Sequence, residues 1–301
     1  MQSFSYKAKA ELCRTAVQRL CCARAECYGV LLYCNTFTVQ EVRIITENPE
    51  FAARLPRLFQ RAFNVKFDRL PSNELSGGKL IFQISDQEKL GRILDTLGYD
   101  PRQALVMHVN FALLEEECCR AAFLRGAFLS GGSVTDPEKR YHLELCTSHA
   151  QASREVSALL QEMGFLPRSV MRGGSAVIYF KQSEHIEDLL TTLGAPVAAT
   201  EIMTAKVDKE IRNGANRAMN CDMANVNKTL DAVAAQQEAI EKLEKAGQLD
   251  KLPEKIQETA RLRLQNPELP LAQLAALFDP PISKSCLNHR IRKIMEEARK
   301  L

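Results

Sequence analysis

Two kinds of hydrophobic spacing alternate along the first two thirds of the chain, and the alternation occurs twice. Residues 19–39, RLCCARAECYGVLLYCNTFTV, open with an apolar run suited to a buried helix. They pass into FTVQEVRII (37–45), where apolar side chains fall on alternate positions, the pattern of a half-buried strand. A helical stretch PEFAARLPRLFQRAF (49–63) follows, then strand-like NVKFDRL and KLIFQIS, then a helical EKLGRILDTLG (88–98). The same order returns as EECCRAAFLRGAFLSGGSVTD (116–136), YHLELCT (141–147), AQASREVSALLQEMG (150–164), RSVMRG, AVIYFKQ and EHIEDLLTTLG (184–194). Gly29 and Gly126 lie 97 positions apart, and Gly98 and Gly194 lie 96 apart. Offsets of 96 and 97 at matching landmarks predict an internal duplication. The expected fold is α+β, with residues 1–199 built as two α-β-β-α-β-β-α copies.

The first long helix of each copy carries a stripe of small residues. Cys22, Ala25, Gly29 and Tyr33 share one helical face, as do Cys119, Ala122, Gly126 and Ser130. Such a stripe lets two helix backbones approach closely, and a Leu at either glycine would prevent it. The pattern predicts a crossed helix pair related by a pseudo-twofold axis between two sheets. The other reading is that each stripe packs on its own sheet.

Paired helices with a central glycine, each leading into a sheet, resemble the LAGLIDADG homing endonucleases. The nine-residue phrase of that family falls on CYGVLLYCN (27–35) and LRGAFLSGG (124–132). In that family the eighth position is an acid in each copy, and the two acids hold divalent metal over the scissile phosphates with carboxylate oxygens. Here the eighth positions are Cys34 and Gly131, and their neighbours Tyr33, Asn35, Ser130 and Gly132 are not acids either. The resemblance therefore implies the scaffold without its metal chemistry. No catalytic residue is expected.

Beyond the duplication the character of the chain changes. Residues 200–228 lack a long apolar face and carry Asn213, Asn216, Asn220, Asn225 and Asn227, which read as a polar connector with a broken helix. A sharper reading has Arg212, Arg217 and Lys228 contact nucleic acid or a partner. From 229 to 301 the pattern is helical, with apolar Leu230, Val233, Ala234, Ile240 and Leu243 and Gly247 placed as a C-cap. A short helix (271–277) meets FDPPI, whose prolines cannot continue it. Ser283 then suits the N-cap of a last helix that turns Leu287, Ile291 and Ile294 inward. Two helices joined by a tight turn predict a helix-turn-helix, whose second helix enters the major groove of DNA. Lys284, Ser285, Asn288, His289, Arg290, Arg292 and Lys293 lie off its apolar stripe and are the candidate DNA contacts. Asn288 and Arg290 are the expected base readers, because Asn pairs bidentately with adenine and Arg with guanine. Lys284 and Lys293 are expected at phosphates.

Charge agrees with that division. Residues 1–200 hold 23 basic and 22 acidic side chains, whereas the last 19 residues hold six basic and two acidic. The near-neutral first part argues against a strong grip on a phosphate backbone there. The ten cysteines include no C-x-x-C and no Cys–His spacing of a zinc finger, so they read as small hydrophobes in apolar helices. No metal site and no cofactor are expected, and His289 has no partner pattern for ligation. No apolar run is long enough for a membrane span, and the N-terminus has no secretory pattern, so a cytoplasmic protein is expected.

Over essentially its whole length the chain resembles the bacterial WhiA family. The residues that carry the resemblance are FLRGAFLSGGSVTDPEKRYHLEL, NRAMNCDMANVNKT and PPISKSCLNHRIRKIMEEA. The resemblance implies a degenerate LAGLIDADG domain (1–199), a linker (200–228) and a helix-turn-helix domain like region 4 of sigma factors (229–301). It also implies a non-enzymatic regulator of cell division, chromosome segregation or sporulation, associated with the nucleoid and binding double-stranded DNA at promoter or chromosomal sites. Two rivals stand beside it. One is an adaptor that docks a regulatory protein on its first domain, and the other is a working metal-dependent endonuclease.

Overall fold

Helix α1 (Phe4–Cys13) opens the fold, its first turn closed by the Ser3 hydroxyl, which accepts from the Tyr6 amide at 3.1 Å. The computed structural model describes residues 2–17, 19–71, 78–100 and 106–301, divided into a first unit (1–209) and a second (210–301). In the first unit, one copy comprises α2 (Leu20–Tyr33), β1 (Thr36–Phe37), β2 (Val42–Thr46), α3 (Pro49–Phe63), β3 (Leu80–Ile84) and α4 (Gln87–Leu97). The other comprises α5 (Glu117–Gly131), β4 (Gly132–Val134), β5 (Leu143–Thr147), α6 (Ala150–Glu162), β6 (Arg168–Arg172), β7 (Ser175–Phe180) and α7 (Ser183–Leu193). Both sheets are antiparallel, ordered β1-β2-β3 and β4-β5-β7-β6.

α2 and α5 are buried on nearly every side, as helices without a polar face must be. They run in the same direction and cross at their glycines. A Cβ on Gly29 would land on the Phe123 carbonyl oxygen, and one on Gly126 on the Glu26 carbonyl oxygen. Phe123 is Glu26 displaced by the repeat offset, so the two contacts are the same contact seen from either side of the pseudo-twofold axis. The crossed pair is thus the centre of the unit. One polar group breaks the symmetry there. Fully buried Glu26 accepts from Arg54 at 2.6 and 2.9 Å and from Arg125 at 3.1 Å. The two guanidiniums are anchored further on the carbonyls of Cys13, Thr15 and Leu193, so each of these three charges has partners.

The copies differ in their strands. The stretch 37–45 is not one strand, because Thr38 Oγ1 accepts from the Gln40 and Glu41 amides and closes a turn between β1 and β2. NVKFDRL likewise forms no full strand. Asp68 and Arg69 both donate to the Gln83 carbonyl, two residues against one, so the ladder shrinks to a bulged bridge. The Asp68 carboxylate then binds the Ser85 and Asp86 amides and the Lys89 ammonium, holding the edge by side chain.

The Asn-rich segment is not a broken helix. α8 runs unbroken from Pro196 to Lys245. Each Asn costs only about 0.7 kcal/mol relative to Ala and Gly214 about 1, while no proline stands between Pro196 and Pro253 to stop the helix. Its first turns bury Ala198, Ala199, Ile202 and Ala205 in the first unit, and every residue from 210 to 232 is exposed.

In the second unit the end of α8 packs with α9 (Glu254–Gln265) and with α11 (Lys284–Arg299), through Ile240, Leu243, Ile256, Ala260, Ile294 and Ala298. Val233 is buried as expected, but Leu230 and Ala234 are exposed. Gly247 takes a left-handed φ of 61° just after the helix, the conformation that ends it. α10 (Leu271–Ala276) joins α11 through a second cluster of Leu274, Ala275, Phe278, Leu287 and Ile291.

Candidate nucleic-acid interface

The second helix of the α10–α11 pair is set up by its own sequence. Ser283 Oγ accepts from the Cys286 amide at 3.2 Å and caps α11, and Leu287, Ile291 and Ile294 are 0, 3 and 1% exposed. Burial of that stripe fixes what the other side presents. Ser285, His289 and Arg292 follow at i, i+4 and i+7 along the centre of the exposed face, with Lys293 on one flank and Asn288 and Lys284 on the other.

Six of the seven candidate contacts are therefore exposed. The seventh is not free. Arg290 lies with its guanidinium 5.3 Å from the centroid of the Phe278 ring, donates to the Lys255 carbonyl at 3.4 Å and sits 3.9 Å from Glu258. It braces α11 against α9 and the turn, instead of standing among the outward side chains. The spacing alone could have shown this, since Arg290 sits one step from the inward Leu287–Ile291–Ile294 stripe on the side away from Asn288. Arg212, Arg217 and Lys228 are exposed on the middle of α8.

At the paired helix ends of the first unit, the positions that carry acids in LAGLIDADG endonucleases are closed. Cys34 is buried at the C-cap of α2, and its thiol donates to the Leu31 and Thr36 carbonyls at 3.2 and 3.1 Å. Burial pushes the thiol up to about 12, so it stays protonated. Gly131 has no room for a side chain. A Cβ there would meet the Cys146 carbonyl oxygen and lie 2.9 Å from the Tyr33 carbonyl oxygen.

The cysteines at the opposite ends of the same helices correct one expectation. Cys27 is a fully buried small hydrophobe as expected. Cys21, Cys22, Cys118 and Cys119 instead come together, their four sulfurs all within 4.8 Å of one another. No C-x-x-C marks this group in the sequence, because its two halves come from different copies of the repeat. The available signal was the Cys-Cys pair at the same place in both copies.

A LAGLIDADG-like unit lacking carboxylates at its paired helix ends, followed by a helical unit with a capped, outward-facing last helix, defines a two-part class of protein. Two family models match, the WhiA LAGLIDADG-like domain over residues 120–212 and the WhiA C-terminal HTH domain over residues 215–298. Among curated proteins, the probable cell division protein WhiA of Ruminiclostridium cellulolyticum is 35% identical over 99% of this chain and 98% of its own. That of Alkaliphilus oremlandii is also 35% identical, with the same coverage. The crystal structure of full-length DUF199/WhiA from Thermatoga maritima superposes with a TM-score of 0.60 at 21% identity, covering 100% of this chain and 99% of that one. The isolated N-terminal LAGLIDADG domain of DUF199/WhiA gives 0.51 at 17% identity, over 64% of this chain and 94% of that one. The chain belongs to the WhiA family.

Proposed function

We propose that this chain is a sequence-specific DNA-binding protein of cell-division control, with α11 as its reader and its LAGLIDADG-like unit as a scaffold without nuclease activity. The observation that carries the reading is the outward face of α11. Ser285, Asn288, His289 and Arg292 stand together between two lysines, on a helix held by a cap and a buried stripe. Arg292 is the guanine reader, with Asn288 suited to adenine and Ser285 and His289 able to meet other base edges. Lys284 and Lys293 meet phosphates, and Arg290 positions the helix without touching a base.

The division of labour follows: residues 1–199 form the scaffold, 200–228 the connecting stretch of α8, and 229–301 the reader. The relatives' shared name supports a place in cell division, and the resemblance extends it to chromosome segregation or sporulation control on the nucleoid. Among the described residues no helix is long and apolar enough to cross a membrane. A regulatory protein partner would use the first unit.

The test is chromatin immunoprecipitation of the intact protein, followed by binding of the enriched duplex and a random duplex of equal length. Wild type should prefer the enriched duplex, and Arg292→Ala should lose about 1–3 kcal/mol on it. Equal affinity of wild type for both duplexes, or an unchanged preference in Arg292→Ala, would refute the assignment.

A further inference from the structure

The four-cysteine group lies at the N-terminal ends of the paired helices, about 18 Å along α2 from Cys34, and the proposed DNA function makes no use of it. Its arrangement follows the pseudo-twofold axis. Cys22 faces Cys118, and the repeat-related pair, Cys119 and Cys21, face each other in the same way. The axis that relates the two copies therefore passes through the group. Burial runs from exposed Cys21 through half-buried Cys22 and Cys118 to buried Cys119, so an ion could enter from solvent. Exposed and half-buried positions are also poor places for cysteines that serve only as small hydrophobes.

The surroundings suit a negatively charged sulfur cluster. Both helices start without a side-chain cap, at Arg19 and at Glu116. In α2 the first amide with a partner one turn back is that of Ala23, so the N–H groups ahead of it take no helical partner and the positive end of the helix lies beside Cys21 and Cys22. Arg19 Nη1 adds a donor 3.8 Å from Cys118 Sγ. Zinc bonded to four thiolates at about 2.3 Å holds its sulfurs about 3.8 Å apart, so the observed group needs to close only slightly.

We propose that Cys21, Cys22, Cys118 and Cys119 bind a single zinc ion as a tetrathiolate site that clamps the two repeats together at the ends opposite the degenerate catalytic positions. Each ligand gives up its thiol proton to solvent on binding, and no redox change is involved. An all-sulfur tetrahedral set selects zinc over magnesium, calcium or manganese. The site fastens two segments almost a hundred residues apart in sequence, so the metal should hold the first unit folded.

The full-length protein, produced in zinc-supplemented medium and purified under a non-thiol reductant without chelator, is the sample to assay. Elemental analysis should find about one zinc per chain. Cobalt(II) added to the apo-protein should give the intense visible bands and near-ultraviolet charge transfer of tetrahedral thiolate coordination. The double variant C21S/C119S should lose both, while C146S, outside the group, should keep both. A thiol-competent chelator should lower the melting temperature of wild type and leave that of C21S/C119S unchanged. Because the wild-type metal content and cobalt spectrum are decisive alone, poor folding of the double variant would not shelter the proposal. Metal-free wild type with no cobalt bands, iron with labile sulfide in place of zinc, or full metal binding by C21S/C119S would each overturn it.

Discussion

Arg290 shows how strongly a single position on a helix decides a residue's role. It is one of four cationic side chains of α11 among the candidate contacts, yet its guanidinium stacks on Phe278 and reaches the Lys255 carbonyl and Glu258, whereas Arg292, two residues on, is exposed. Two residues on a helix is more than half a turn, so the pair point to opposite sides. Arg290→Ala should therefore lower the stability of the protein by about 0.5–2 kcal/mol in denaturant unfolding, from loss of the ring contact and the carbonyl bond. It should weaken binding to all duplexes alike. A selective loss on the preferred site, with stability unchanged, would return Arg290 to the readers. The inward stripe, the Ser283 cap and the outward charges could all be read from spacing. The stacking of Arg290 on Phe278 could not, because it depends on where the FDPPI turn places that ring.

At the scale of elements, the repeat was legible wherever local pattern and packing agree. The 97-residue offset of Gly29 and Gly126 located the crossing, and the structure adds that each glycine faces a carbonyl of the other helix. Gly126→Leu should destabilise the protein by at least about 1–3 kcal/mol in urea unfolding, since backbone yields less readily than side chains. An unchanged midpoint would mean that the helices do not cross there. α8 is the opposite case. Five asparagines suggest a break, but each costs a helix only about 0.7 kcal/mol relative to Ala, and neither a proline nor a left-handed glycine lies inside it to end it. Gly214 lies within that helix, and a Cβ on it would meet nothing within 4 Å. Gly214→Ala should therefore raise helicity by circular dichroism and stabilise by about 0.5–1 kcal/mol, whereas a flexible connector would show no change in helicity. The bulged edge at Asp68 and Arg69 was hidden for a third reason. Its alternating pattern is that of a strand, and the carboxylate that captures the Ser85 and Asp86 amides is a long-range contact.

For the molecule as a whole, chemistry and charge are distributed unequally. The helix pair that would carry catalysis ends in a protonated, carbonyl-bonded thiol and in a glycine with no space for a side chain, while the basic excess lies in the last 19 residues. Purified protein should leave supercoiled plasmid intact with magnesium or manganese. The pair Cys34→Asp and Gly131→Asp should not restore cleavage, because the second side chain has nowhere to go. Nicking by wild type that a chelator abolishes would contradict this. The most direct measurement of the central claim is a titration of full-length wild type, Asn288→Ala, Arg292→Ala and Lys293→Ala against the enriched and a random duplex at several salt concentrations. Asn288→Ala and Arg292→Ala should lose about 1–3 kcal/mol on the enriched duplex only. Lys293→Ala should weaken both duplexes and lower the salt slope by about one. Wild-type affinity and salt slope in all three variants would place DNA recognition somewhere other than α11.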